Sequence, residues 1–335
     1  MSKKLRVAVI GAGNIGRRHA QIHHDSPLTE FVAVCDIVKE KAERFARDYG
    51  LNVYTSVDDL LKNEQLDLVS VTTAGVENGS HHYEPTMQAL AAGVGVLAEK
   101  PLCNDFAQAK EMVETAEAKN LYLGCDLNHR FVPFAAKAKA WMQEGKIGQP
   151  LFCNMALWIN NPNESSPWFH LRALHAHSVD VMRYFCGDVV QVQAFLSKAP
   201  GRKIWSVASI NMAFANGAVG HLTGSYDMSG HHPIERCEVG GDAGRFVLEN
   251  VNESLTLYPR QSPERIVLTN QFMSAQNFSD TFRNRINRFL QQVSEGVDPQ
   301  QIEGSGREAL AAEAVIEAAI RSHEEGRVVP TSEFL

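Results

Sequence analysis

Residues 5–16 read Leu5-Arg6-Val7-Ala8-Val9-Ile10-Gly11-Ala12-Gly13-Asn14-Ile15-Gly16. The first six alternate short and β-branched residues, the pattern of a strand buried in a parallel sheet; three glycines then interrupt it, and Arg17 to His24 can continue as a helix. The spacing is G-x-G-x-x-G, with Asn14 and Ile15 in the variable positions. Such a loop turns tightly, lets a pyrophosphate approach the backbone, and offers that anion the N-terminus of the next helix. Outward from it, Phe31 to Cys35 predicts a second strand ending at Asp36, and Lys39 to Tyr49 a helix stopped by Gly50. Asp36 lies about twenty residues beyond the glycines, where an acid binds the adenosine ribose. The residue after it is Ile37, which offers no cation to a 2′-phosphate, so NAD is expected rather than NADP.

The alternation goes on. Strands are expected at Leu66–Thr72, Val94–Ala98 and Leu121–Cys125, with helices at Pro85–Ala92 and Phe106–Lys119, which together make a doubly wound parallel sheet. Past residue 125 the texture changes. Leu151–Ile159, Val189–Leu196, Ser206–Phe214, Ala218–Ser225, Glu235–Val239 and Ser254–Tyr258 read as strands with few helices between them, a mostly antiparallel open sheet. Asn277–Ser294 and Glu308–Glu325 read as amphipathic helices, and Arg327–Leu335 as a last extended piece. The expected division is a Rossmann domain over 1–125 and an α+β substrate and oligomerisation domain over 126–335, whose last residues pack back on the first. The length of 335 residues suits two domains.

Composition narrows the function classes. A net charge of −7 argues against nucleic acid or an anionic membrane as the partner and leaves a small molecule. No apolar run approaches the roughly 18 residues of a membrane span, and no export signal is read at the start. Six scattered cysteines without a Cys-x-x-Cys read as reduced thiols, hence the cytoplasm.

The second chemical signal is Glu99-Lys100-Pro101, at the carboxyl end of an expected strand, where open α/β sheets place their ligands. With GAGNIG at the start, AEKPLCND around Lys100, GCDLNHRFVPF after it and the later His177-Ser178-Val179-Asp180, the chain resembles the glucose–fructose oxidoreductase and inositol dehydrogenase (Gfo/Idh/MocA) family over essentially its whole length. The resemblance implies an NAD(P) domain, a second domain with a large open sheet, and hydride transfer at a hydroxyl-bearing carbon of a sugar, inositol or related polyol. It also implies that Lys100 touches nicotinamide ribose and substrate hydroxyl. An ammonium beside a carbinol oxygen stabilises the developing alkoxide.

The family pattern Asp-x-Gly-x-His-x-x-Asp, whose histidine is the general base, places His177 and Asp180. Ala173 then stands where the first acid belongs, and His175 where the glycine does. His177 is expected to be the base, with His170 and His175 near enough to supply an altered network. A metal reading of His170, His175, His177 and Asp180 assumes an extended His-x-His segment; the expectation is no metal. Further candidates are Thr72, Thr73 and Glu99 near the cofactor, with Ala74 beside them, and His82 before the next helix, where His81 competes because the loop Gly75–Ser80 is long. On the substrate side stand Asn128 and Arg130, then Asn160, Trp168 and His170 in the loop before His177. The rival readings are a redox-neutral glycoside hydrolase or lyase that uses NAD, and a non-catalytic dinucleotide-binding regulator. An uncovered sheet face predicts a homodimer or homotetramer.

Overall fold

The computed structural model describes residues 3–75, 77, 81–270 and 278–335. The chain divides into two compact units, Met1–Leu127 with Phe282–Leu310, and Asn128–Thr281 with Ala311–Leu335.

In the first unit β1 (Leu5–Ile10) and α1 (Asn14–Asp25) flank the glycine loop, followed by β2 (Thr29–Cys35), α2 (Lys39–Tyr49), β3 (Asn52–Tyr54), α3 (Val57–Asn63), β4 (Leu68–Val71), α4 (Tyr83–Ala91), β5 (Gly95–Ala98), α5 (Phe106–Ala118) and β6 (Leu123–Cys125). The six strands run in the order β3-β2-β1-β4-β5-β6, every pair parallel. The order reverses at β1, so the loops after β1, β4, β5 and β6 share the carboxyl edge where such sheets bind ligands. The doubly wound sheet read from the sequence is thus present; the short β3 and α3 were not foreseen.

The second unit opens with a 3₁₀ turn at Asn128–Arg130, then α6 (Pro133–Gln143), β7 (Pro150–Trp158), α7 (Phe169–Cys186), β8 (Val189–Ser197), β9 (Val207–Phe214), β10 (Val219–Ser225), β11 (Glu235–Gly241), β12 (Gly244–Glu249), β13 (Ser254–Pro259) and β14 (Ile266–Thr269). After α8 (Phe278–Ser294) and α9 (Gly306–Glu325) comes β15 (Val329–Pro330). The nine strands lie in the order β14-β13-β12-β11-β7-β10-β9-β8-β15, antiparallel except for the parallel pair β7–β10. The open sheet is as expected, with β12 and β14 added.

Two readings need correction. Residues 282–310 belong with the Rossmann sheet rather than the second domain: Phe282, Ile286, Phe289 and Leu290, one stripe of α8, are buried with Val7, Leu68 and Leu97. Each such burial stabilises by roughly 1.5–3 kcal/mol, enough to fix the helix on that face. The final residues, expected on the first domain, belong to the second unit, where Val329 and Pro330 pair with Val192 and Gln191 of β8. The second correction is α7. Trp168 caps it and His170 lies within it, so Phe169 onward is helix, not loop. Its residues are buried on nearly every side, which erases the amphipathic stripe that betrays a helix in sequence.

Candidate functional site

In the first unit, the close approach of loop and strand explains two of the three glycines. A side chain on Gly11 would sit 2.8 Å from the Thr72 backbone, and Gly11 has φ +107°; on Gly16 it would lie 2.0 Å from the Gly11 carbonyl. Gly13 differs, since nothing lies within 4 Å of the Cβ it lacks. The protein's own packing does not require a glycine there, whereas a pyrophosphate lying on the backbone would. Gly13 also caps α1 without a side-chain hydrogen bond, and the first turn has no acid, so its N–H groups suit an anion. Asn14 and Ile15 form that turn. The Asp36 carboxylate accepts from Ala12 N–H and Val38 N–H, each at 2.8 Å, which fixes it at the carboxyl end of β2. Ile37 beside it is 89% exposed. These residues fit a dinucleotide.

Along the same edge, Thr72 Oγ1 donates to the carbonyls of Ile10 (3.1 Å) and Gly11 (2.9 Å), fastening the loop to β4. Thr73 Oγ1 donates to the His81 carbonyl at 2.6 Å. His82, rather than exposed His81, is the buried member of that pair: its Nδ1 donates to the Pro101 carbonyl at 2.9 Å, and burial lowers its pKa to about 4. It is therefore a neutral brace on the Lys100-Pro101-Leu102 backbone. Of the loop Gly75–Ser80, residues 76 and 78–80 lie outside the described residues. Lys100 is half-buried; desolvation lowers its pKa, and the charges of Glu99 and Asp126 oppose that shift.

The second unit gathers its histidines differently. His177 stacks on His129, with ring centroids 4.1 Å apart and planes 10° from parallel, and His129 Nδ1 donates to Glu235 Oε2 at 2.5 Å. Glu235, His129 and His177 are all buried. Arg130 and Asp180, 3.3 Å apart, form a buried ion pair, and Asn128 donates to Thr281 Oγ1 at 2.7 Å. Trp168 stacks on Trp205 at 6.1 Å. Asn160 makes an isolated bridge to Asp227.

His170 is engaged at both ring nitrogens, with the Trp205 carbonyl at 3.2 Å and His175 Nε2 at 3.0 Å. His175 Nδ1 meets Ser178 Oγ at 3.1 Å. This is a closed chain: the hydroxyl donates to one neutral imidazole, that ring to the next, and the last to a carbonyl. Burial lowers the pKa of His170 to about 3 and that of His175 well below its usual value. His170 thus enters a core network instead of facing a substrate. The extended His-x-His segment is likewise corrected, because on a helix His175 and His177 point to roughly opposite sides.

Sequence reasoning missed His129 and Glu235. Both had signals: His129 sits between two residues that were chosen, and Glu235 shares the inward face of β11 with Cys237 and Val239.

The profile of an oxidoreductase family with an NAD-binding Rossmann fold matches residues 5–126, and that of the GFO/IDH/MocA C-terminal domain matches residues 135–247. The chain belongs to the Gfo/Idh/MocA oxidoreductase family. Among similar proteins, the D-apiose dehydrogenase of Paraburkholderia graminis is 26% identical, covering 98% of this chain and 90% of its own. The inositol 2-dehydrogenase of Rhizobium meliloti is 25% identical over 97% and 98%. A levoglucosan dehydrogenase solved with NADH and levoglucosan shares the fold, with a TM-score of 0.88 at 20% identity over 98% and 100% of the two chains. The comparisons thus bear out the family and the fold read from the sequence.

Proposed function

We propose that this Gfo/Idh/MocA chain is an NAD-dependent dehydrogenase of a cyclic polyol, sugar or sugar derivative. The observation that carries the reading is the carboxyl edge of the first sheet, where the glycine loop, Asp36 and Glu99-Lys100 follow β1, β2 and β5 of one compact unit. The full-length similarity to dehydrogenases of apiose and inositol supports the substrate class.

In this reading NAD, when bound, supplies the hydride acceptor. Gly11, Gly13, Asn14, Ile15 and Gly16 shape the pyrophosphate loop, Asp36 holds the adenosine ribose, and Thr72 and Thr73 border the nicotinamide side. Lys100 polarises the substrate oxygen. His177 takes the hydroxyl proton, and Asn128, Arg130 and Trp168 shape its surroundings. The stacked His129 and its carboxylate Glu235 stand in for the acid lost at Ala173, keeping the His177 ring in one orientation.

Among the described residues no helix is long and apolar enough to cross a membrane, and the six cysteines are buried free thiols. Both features support a small-molecule enzyme of a reducing compartment, the cytoplasm. Phe195 (62% exposed), Val219 (59%) and Leu151 (53%) on the second sheet support covering by a second copy, as a homodimer or homotetramer.

The test is absorbance of reduced nicotinamide with NAD or NADP across inositols, aldoses, uronates and glycosides. The expected result is NADH formation, and a loss of about 10²–10³ in kcat for Lys100→Met, the usual cost of one charge-stabilising donor. Full turnover by that variant overturns the role of Lys100. Glycoside cleavage without NADH overturns the dehydrogenase.

A further inference from the structure

One buried cluster in the first unit reaches beyond these assignments. His19, on the inward face of α1 and fully buried, directs Nε2 to two carboxylates, Glu99 Oε1 at 3.1 Å and Asp126 Oδ2 at 3.3 Å. Among the described residues no other three His, Cys, Asp or Glu side chains bring ligand-type atoms within 4.8 Å of one another. The two acids end adjacent strands. Glu99 follows β5 and donates its N–H to Val71 (2.9 Å); Asp126 follows β6 and donates to Ala98 (2.8 Å). Glu99 also accepts the Lys100 backbone N–H through Oε2 at 3.3 Å.

Charge decides what the cluster is. Two carboxylates in a low-dielectric interior cannot both ionise without cations close by. Burial lowers the pKa of His19, but its hydrogen bonds and charge interactions with Asp126 and Glu99 outweigh burial and bring it to about 9, so the ring is an imidazolium at neutral pH. Burial raises Asp126 to about 6; Glu99 is raised by burial but held below its ordinary value by His19. One imidazolium against two acids leaves one negative charge, and the ammonium of Lys100 interacts with both. The other titratable and charged groups facing the cluster are Cys125, whose Sγ donates to the Glu99 carbonyl at 3.9 Å and which also acts on Lys100, and Arg285, His23 and His82. Arg285 donates to the carbonyls of Cys125 (3.0 Å) and Gly304 (2.9 Å); His23 pairs with Ser70 Oγ at 2.8 Å; His82 braces Pro101.

We infer that His19 is a positioning residue for the reaction: from the helix of the glycine loop it neutralises and clamps Glu99 and Asp126, so that together they hold the Lys100 ammonium charged and in place. The inference rests on the role of Lys100 given above. It links the dinucleotide loop to the polarising group through one imidazole nitrogen set between two buried carboxylates.

The test is a double-mutant cycle in the full-length protein. His19→Gln keeps amide donors toward both acids but removes the positive charge; Asp126→Asn removes one negative charge; the pair together restores the balance. The expected result is a loss of about ten-fold in kcat for His19→Gln with KM for NAD within about two-fold, and partial recovery of kcat in the double variant, a coupling normal for residues in one network. Asp126→Asn alone is expected to move the alkaline limb of kcat to lower pH, because the ammonium loses a neighbouring anion. A purely structural role predicts neither the recovery nor the shift. Native kcat in His19→Gln, additive losses in the double variant, or a stoichiometric divalent metal that His19→Gln releases would each overturn the inference. Should His19→Gln not fold, the limb shift of Asp126→Asn decides alone, because an unmoved limb overturns the inference. Lys100→Met separates the two levels: turnover there sinks the role of Lys100, whereas its loss beside a native His19→Gln sinks only the clamp.

Discussion

Two buried clusters, one in each unit, hold their histidines in opposite electrostatic ways. Along the carboxyl edge of the Rossmann sheet a charged histidine is clamped between two acids beside a lysine. In the core of the second unit two histidines are kept neutral in a chain that ends on a carbonyl, while a third, His129, pairs with Glu235 under the ring of His177. The same residue type is thus an ion in one place, a neutral link in another and a stacking support in a third. What differs is the partner: carboxylates lift an imidazole's pKa, whereas burial among neutral donors and acceptors lowers it.

The largest effect that tests this contrast is at His177. His177→Gln is expected to lower kcat by about 10²–10⁴, the range of a lost general base, while NAD binding, measured by quenching of protein fluorescence, stays at the native level. Glu235→Gln is expected to act in the same direction but less, lowering kcat with little change in KM, since it loosens the stack rather than removing the base. If Glu235→Gln instead matched His177→Gln in size, the carboxylate would be a catalytic partner and the stack more than a support.

Next comes acid. His170 and His175 have folded pKa values depressed from about 6.5, to about 3 for His170 and further down for His175. Between those values the unfolded chain binds protons that the native state refuses, so their contribution is fully present above pH 6.5 and is lost as pH falls. Each group costs up to about 1.4 kcal/mol per pH unit in that window. His23 and His82 in the first unit, depressed to about 3 and about 4, act with the same sign. His19 acts oppositely: raised to about 9, it stabilises fully below pH 6.5, and that contribution is lost as pH rises to 9. Asp126, raised to about 6, opposes them as pH falls through that value, but four depressed histidines outweigh one raised acid, so the expected curve of thermal midpoint against pH falls from pH 6.5 to 5. A midpoint constant over that range would show that the buried histidines do not stay neutral.

The contrast also explains what could be read from the chain. The glycine loop, Asp36 and Glu99-Lys100 are legible because each motif there is local, a few consecutive residues at a strand end. The doubly wound sheet followed from the same alternation. His129 was not legible, although Asn128 and Arg130 on either side were chosen. In a 3₁₀ turn three successive side chains spread around the axis, so the middle one reaches a partner that its neighbours do not. Glu235 meets it from a strand 106 residues on. His19 lay in plain view three residues after Gly16, but its partners arrive from two other strands. Convergence through space, not residue type, is what one sequence withholds.

Two glycines give the smallest and sharpest test, because one is required by the protein's packing and the other, in the proposed reading, by its ligand. A Cβ on Gly224 of β10 would lie 1.9 Å from His175 Nε2 and 3.1 Å from His170 Nε2, so Gly224→Ala must displace an imidazole and break the 3.0 Å link between the rings. Overpacking of this kind costs about 1–3 kcal/mol, a fall in thermal midpoint of about 2–4 °C per kcal/mol. Gly13→Ala meets no atom within 4 Å, and its φ of −83° is open to alanine. It is expected to leave the midpoint within about a degree and to raise KM for NAD roughly ten-fold, the loss of about 1.4 kcal/mol of binding. Equal thermal losses in the two variants would mean that Gly13 is a packing glycine after all, and the open space above it would lose its meaning as the seat of the pyrophosphate.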